Sequence, residues 1–325
     1  MLFSGSLASA LAVRLAQRAG LRDLHLVFFH SPFFRDEERV ARVACALGLP
    51  LRTVTVKREF LRLPSQGCAP FPCGACRGLL LKRAARLLLR RRFDLVVTGE
   101  VVGRGGLSPE ALEGLDADAG LAGRVLRPLS AKLLSPTLAE AEGAVDREAL
   151  LGLSADGSLR SKLAQLAQGL GLSPRVSGRL CLLADPVFAQ RIQEFGQDHH
   201  MLFTANFVRL LEFPHLFRLP HGAVLAVATT PAEQVRLQEL FLPEDVRLYV
   251  PLPGSPLGLL RGPWAKLSPQ ARERVLALAA RKLLALGGFD VGRAWTVCFR
   301  AEAAEETGRL RVLPKPLREG LSWVN

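Results

Sequence analysis

No uninterrupted apolar run in these 325 residues is long enough to cross a bilayer, which argues against a helical membrane protein. No basic segment followed by an apolar one opens the chain, so no secretory signal is predicted and a cytoplasmic location is expected. Internal repeats and low-complexity segments are absent, and no Ser, His and Asp stand at spacings that suggest a nucleophilic triad. Acid is scarce: 30 Asp and Glu stand against 43 Lys and Arg, a formal net charge of +13. That excess favours a polyanionic partner such as RNA, DNA or an anionic membrane surface, although arginine enrichment from a GC-rich genome gives the same excess. Without an export signal, the six cysteines (45, 68, 73, 76, 181 and 298) point to metal, cluster or redox use rather than a disulfide scaffold.

What is present divides into two parts. Up to about residue 190, strand-like and helix-like segments alternate: strands at 24–29, 51–56 and 93–98, helices at 36–47, 78–92 and 154–172. Such alternation predicts βαβ units and a mostly parallel sheet, whose active sites lie outside the carboxyl ends of the strands. The Ser4–Ser9 turn, the turn after His30 and Gly99-Glu100 are all expected at that edge. Residues 198–325 read as a smaller α+β domain, with strands at 216–219, 223–229, 246–250 and 295–300, helices at 232–240 and 268–286, and a Pro/Gly-rich stretch at 251–263.

Three segments carry chemistry. The small-residue turn Ser4-Gly5-Ser6-Leu7-Ala8-Ser9 leads into an amphipathic helix. It reads either as a phosphate cradle, built from backbone N–H groups and a helix N-terminus, or as a plain strand-to-helix turn. Cys73-Gly74-Ala75-Cys76 opens a helix whose N-terminus and basic neighbours favour thiolates. The pair suits a shared metal or a redox couple, or is simply two small buried residues. It supplies half of a tetrahedral site, with Cys68, Cys181 or a histidine left to complete it. From Arg77 to Arg92 the helix carries seven basic residues and no acidic one, which predicts a phosphate-backbone contact or a solvated basic face. His199-His200 cannot share a face of a helix or strand and is read as surface or core.

Five segments, in this order, resemble the PP-loop ATP pyrophosphatases related to tRNA 2-thiouridine and 4-thiouridine synthetases. Phe3–Ser9 is similar to that group's Ser-Gly-Gly-x-Asp-Ser loop, and Pro72–Cys76 to its Pro-Cys-x-x-Cys segment. Phe93–Glu100 is similar to its strand ending in Thr-Gly, Arg127–Leu134 to its Arg-Pro-Leu-Ser stretch, and Cys181–Pro186 to a segment bringing in a third cysteine. Leu259-Leu260-Arg261-Gly262 weakly resembles an RNA-binding module of the NFACT family.

The resemblance implies a Rossmann-like, adenine nucleotide alpha hydrolase-like PP-loop domain over 1–190, followed by an α+β domain over 198–325 that binds RNA. It implies ATP with Mg2+ at Ser4, Gly5, Ser6, Ser9 and Gly99, adenylation of a uridine carbonyl, and displacement of AMP by sulfur. Cys73, Cys76 and Cys181 would either relay a persulfide or hold three irons of a [4Fe-4S] cluster, with the fourth iron open. The implied partners are tRNA or another RNA and a sulfur donor protein, with no membrane. Two departures stand inside the loop. Ser6 replaces a glycine that would let backbone approach a phosphate, and Ala8 replaces the aspartate of the metal–pyrophosphate end. After the Thr-Gly turn, Val101–Gly106 replaces the family's polar segment.

Overall fold

The computed structural model describes residues 1–34, 36–56, 73–173, 181–196 and 204–314. Cys68 and His199-His200 lie outside them, as does the side chain of Cys73. The chain forms two compact units, Met1–Asp185 and Pro186–Asn325.

In the first unit, β1 (Leu26–His30) pairs in parallel with β2 (Leu51–Thr55), and β3 (Val96–Val97) with β4 (Val125–Leu126). The segment Met1–Phe3 joins the two pairs: Leu2 N donates to Val97 O at 2.9 Å, and Phe3 N to Val27 O at 2.8 Å. The spatial order is therefore β2, β1, Met1–Phe3, β3, β4. In chain order that is third, second, first, fourth, fifth, the arrangement of a doubly wound sheet.

The pleat sorts neighbouring residues to opposite faces. Phe3, Val97 and Leu126 pack with α1 (Leu7–Arg18) and α2 (Glu37–Leu47). Their neighbours Leu2, Val96 and Val125 pack with α3 (Cys73–Arg91) and beside α4 (Pro109–Asp118). α2 lies between the ends its sequence suggests: Asp36 accepts from Arg39 N, and Gly48 closes it at φ +71°. Two elements are shorter than expected. The run 93–98 yields only Val96–Val97, and the helix expected over 154–172 is α6 (Leu159–Gly169), which follows a short α5 (Leu138–Ala141).

The second unit opens with α7 (Pro186–Gly196) and α8 (Ala205–Leu210). Its strands are β5 (His215–Arg218), β6 (Val224–Ala228), β7 (Val246–Tyr249), β8 (Leu257–Arg261), β9 (Trp295–Ala301) and β10 (Gly308–Val312). They form one antiparallel sheet in the order β10, β9, β7, β8, β6, β5. α9 (Pro231–Gln238) follows β6, and α10 (Pro269–Leu286) covers one face through Val275, Ala279 and Leu283.

Two strands correct the sequence reading. β8 lies inside the stretch read only as Pro/Gly-rich, because Leu257, Leu259 and Leu260 are buried there and Gly258 leaves room for Leu283, Leu248 and Leu225. β10, beyond the last expected strand, completes the edge by pairing with β9.

Candidate functional site

The Ser4–Ser9 turn stands at the carboxyl end of the first strand of the sheet, at the switch point between Met1–Phe3 and β3. Gly5 turns the chain at φ +68°, and its missing Cβ would lie 3.0 Å from Val40 Cα. Ser6 caps α1 by accepting from Ser9 N at 3.2 Å. The N–H groups of Leu7 and Ala8 are left without intrahelical acceptors, as in any helix start.

The three hydroxyls turn inward. Ser4 Oγ donates to Ser6 Oγ at 3.0 Å, Ser6 Oγ to Ser9 Oγ at 3.3 Å, and Ser9 Oγ to the Ser6 carbonyl at 2.9 Å. Gly99 closes on this turn. A Cβ there would fall 2.6 Å from Ser9 Cα and 2.9 Å from the Ala8 carbonyl carbon, so only glycine fits.

Ala8 points the other way. It is 3% exposed and packs in an apolar cluster with Leu11, Leu15, Val101 and Leu129. At the position where the resembled loop carries a carboxylate, this chain has a methyl group in hydrocarbon. A carboxylate placed there would lose its hydration.

Beside the turn lies an ion network the sequence did not disclose. Arg127, just past β4 and 1% exposed, grips Asp116 of α4 through Nη1 at 2.6 Å and Nη2 at 2.8 Å. Its Nε donates to Glu100 Oε2 at 2.9 Å. The second Glu100 oxygen meets Arg77 Nε of α3 at 3.3 Å, and Arg77 Nη2 also reaches the Arg104 carbonyl at 3.1 Å. Thr98, buried, donates to Glu100 at 3.2 Å. Burial pushes the Asp116 carboxyl up from its ordinary value, against the pull of the Arg127 guanidinium. Burial would lower Arg127, but its bonds to Asp116 and Glu100 leave it raised and charged.

The network ties the first turn of α3 to the residues that follow β3 and β4. Cys76, next to Arg77, is buried there. Cys181 is half-buried and precedes a 3₁₀ turn, Leu182–Ala184, held to the loop after β1 by a bond from Leu182 N to the Phe33 carbonyl at 3.1 Å. Cys73 begins α3, with its side chain outside the described residues. Among the described residues no group of three or more His, Cys, Asp or Glu side chains is arranged to hold a metal ion. Cys45 is exposed on α2, and Cys298 is buried in β9 of the second unit. His30 ends β1 with its ring 6.3 Å from that of Phe28.

No protein-family model and no curated protein matches the chain. Among solved structures, it is similar to a predicted subunit of a tRNA methyltransferase from Methanocaldococcus jannaschii: 16% identity, 55% of this chain and 90% of that one, TM-score 0.32. It is also similar to the C-terminal part of the fibronectin/fibrinogen-binding protein from Streptococcus suis: 9% identity, 79% of this chain and 93% of that one, TM-score 0.27. At these scores neither likeness fixes a fold or a function.

Sequence reasoning placed Glu100 and Arg127 in motif-like segments but gave neither a partner, and it passed over Asp116. One signal was available. Asp116 stands four residues after the buried Leu112 on the same helix, so an acid occupies the core-facing side of α4.

Proposed function

We propose that this chain is a PP-loop relative that has lost the adenylation step and acts on RNA as a binding or iron–sulfur accessory protein. The observation that carries the reading is Ala8. Its methyl group is buried among leucine and valine side chains where the resembled loop needs an acid for the metal–pyrophosphate end. The inward-turned serine hydroxyls support it, because donors spent on one another are not aimed at a phosphate chain. The excess of basic side chains supports a polyanionic partner.

A second reading, tRNA thiolation with ATP, keeps one specific support. The loop, the start of α3 with Cys76, and the Cys181 segment all stand with the carboxyl ends of the parallel strands. A [4Fe-4S] cluster would supply an open iron for sulfide. Cys76 and Cys181 are the described thiol residues on that edge, and Cys73 would be the third ligand.

The deciding experiment uses the full chain, purified and reconstituted anaerobically with iron and sulfide, and incubated with tRNA, ATP and a sulfur source. The first reading expects tRNA binding at low salt with no pyrophosphate release and no thiouridine by mass spectrometry. Pyrophosphate release coupled to thiouridine formation would overturn it in favour of the second.

A further inference from the structure

We propose that the cleft between α3 and the β1–β2 pair is a phosphate-binding groove for an RNA backbone, separate from the Ser4–Ser9 turn. The proposal rests on the RNA-directed reading above and names where the RNA is held. The cleft has a volume of about 190 Å³. A single water needs about 15 Å³ of such space, so the cleft admits a multi-atom group.

Its floor is apolar, with Phe29 of β1 and Val54 of β2. Its walls are Arg52 of β2 and Arg83, Arg86 and Arg90 of α3, and no acidic residue lines it among the described residues. The pleat explains Arg52, which alternates with Thr53 and so shares a face with Val54. Helical spacing explains the others: 83, 86 and 90 fall three and four residues apart, on one face.

Two features give this cluster a ligand. Arg86 and Arg90 are like charges one turn apart, an unfavourable spacing on a helix that has no acid of its own to relieve it. The same helix shows what relief looks like, because Arg77 pairs with Glu100 at 3.3 Å. Among the described residues no carboxylate answers the charges at 52, 86 and 90, which leaves them for an anion from outside. The apolar floor lowers the local dielectric and strengthens each guanidinium–phosphate contact. Several arginines in a row along an open cleft fit successive phosphates of a polyanion, and guanidinium forks suit phosphate oxygens.

The test is fluorescence anisotropy of the full chain with labelled tRNA over about 50 to 200 mM salt. The triple variant R52Q/R86Q/R90Q is compared with R22Q/R42Q/R274Q, which removes the same charge from exposed positions elsewhere. The cleft variant should bind at least about tenfold more weakly. Its log–log salt slope should fall by about 2, at roughly 0.7 per lost phosphate contact. Circular dichroism should show both triples folded, since all six side chains are exposed.

Equal losses in the two triples, with wild-type binding intact, would overturn the cleft while leaving the RNA-directed reading in place. Failure of the wild type to bind tRNA at the lowest salt would overturn that reading and the cleft with it. Displacement of tRNA from the wild type by millimolar inorganic phosphate would assign the arginines to a small free anion and overturn the RNA groove.

Discussion

Each unit ties an arginine to a buried aspartate, and the two pairs do different work. In the second unit Arg261, at the end of β8, holds Asp245 through Nε at 2.9 Å and Nη2 at 2.6 Å. Its remaining donors reach Asn206 and the Leu240 carbonyl, both at 2.9 Å. Every partner is structural, and the knot fastens α8 and the loop before β7 to the sheet. In the first unit Arg127 holds Asp116 with a fork of its two terminal nitrogens, and its Nε goes to Glu100, which continues to Arg77 and sits beside Gly99. Buried guanidinium pairs thus say little about function by themselves. What distinguishes Arg127 is the company of a close-packed turn at the carboxyl edge of a parallel sheet.

The largest expected effect breaks both knots. Arg127→Leu and Arg261→Leu should each cost about 3–5 kcal/mol, because each leaves a buried aspartate unpaired. Hydrogen exchange read peptide by peptide separates them. Arg127→Leu should deprotect 1–10 and 96–104, whereas Arg261→Leu should deprotect 204–212 and 240–248. Equal deprotection of the Ser4–Ser9 turn by both variants would erase the contrast.

Next comes Ala8→Asp, which restores the letter of the resembled loop. It should destabilise the first unit by about 3 kcal/mol, from burial of a charge or its neutralised acid among leucines. It should also produce no pyrophosphate release. A stable variant that turns over ATP would show the apolar cluster to be adaptable.

Gly99→Ala should cost about 2–3 kcal/mol, because the new methyl meets backbone atoms of Ala8 and Ser9 that cannot give way. Gly258→Ala in β8 meets only leucine side chains at 3.2–3.4 Å and should cost about 1 kcal/mol. Denaturant midpoints of the two variants compare the rigidity of the turn with that of the sheet core.

The smallest effect concerns an exposed pair. Lys162 Nζ lies 2.8 Å from Asp156, and with Ser158 it holds the Asp156 carboxyl at about 2, below the ordinary 3.8. The stabilisation is present above the ordinary value and is lost as pH falls through about 2. In Lys162→Ala, an NMR titration should show Asp156 moving back towards 3.8, with only a slight fall of the unfolding midpoint at neutral pH because the pair is exposed.

Much of the scaffold was legible. The helix over 36–47, the helix after the Ser4–Ser9 turn and the alternation of strands and helices are local features, and the structure realises them. β8 was hidden because prolines and glycines flank it and Gly258 interrupts it, while the leucines that make it a strand depend on α10 for burial. The site was legible only in outline. The small-residue turn and Thr98-Gly99 could be placed at one edge, but nothing local says that Gly99 presses on Ser9 or that Ala8 turns into hydrocarbon.

The sequence by itself determined the turn chemistry and the run of seven basic residues without an acid from Arg77 to Arg92, because each depends on residues within a few positions of one another. Only the tertiary structure decided which of those charges are answered. Glu100 reaches Arg77 and Arg127, and Asp116 reaches Arg127, across 11 to 27 residues of chain, because the register of the sheet brings those loops together. Arg52, Arg86 and Arg90 meet around a cleft that holds no carboxylate among the described residues. Charge composition is a local count, whereas neutralisation requires two groups within a few ångströms, and that distance is set by the fold.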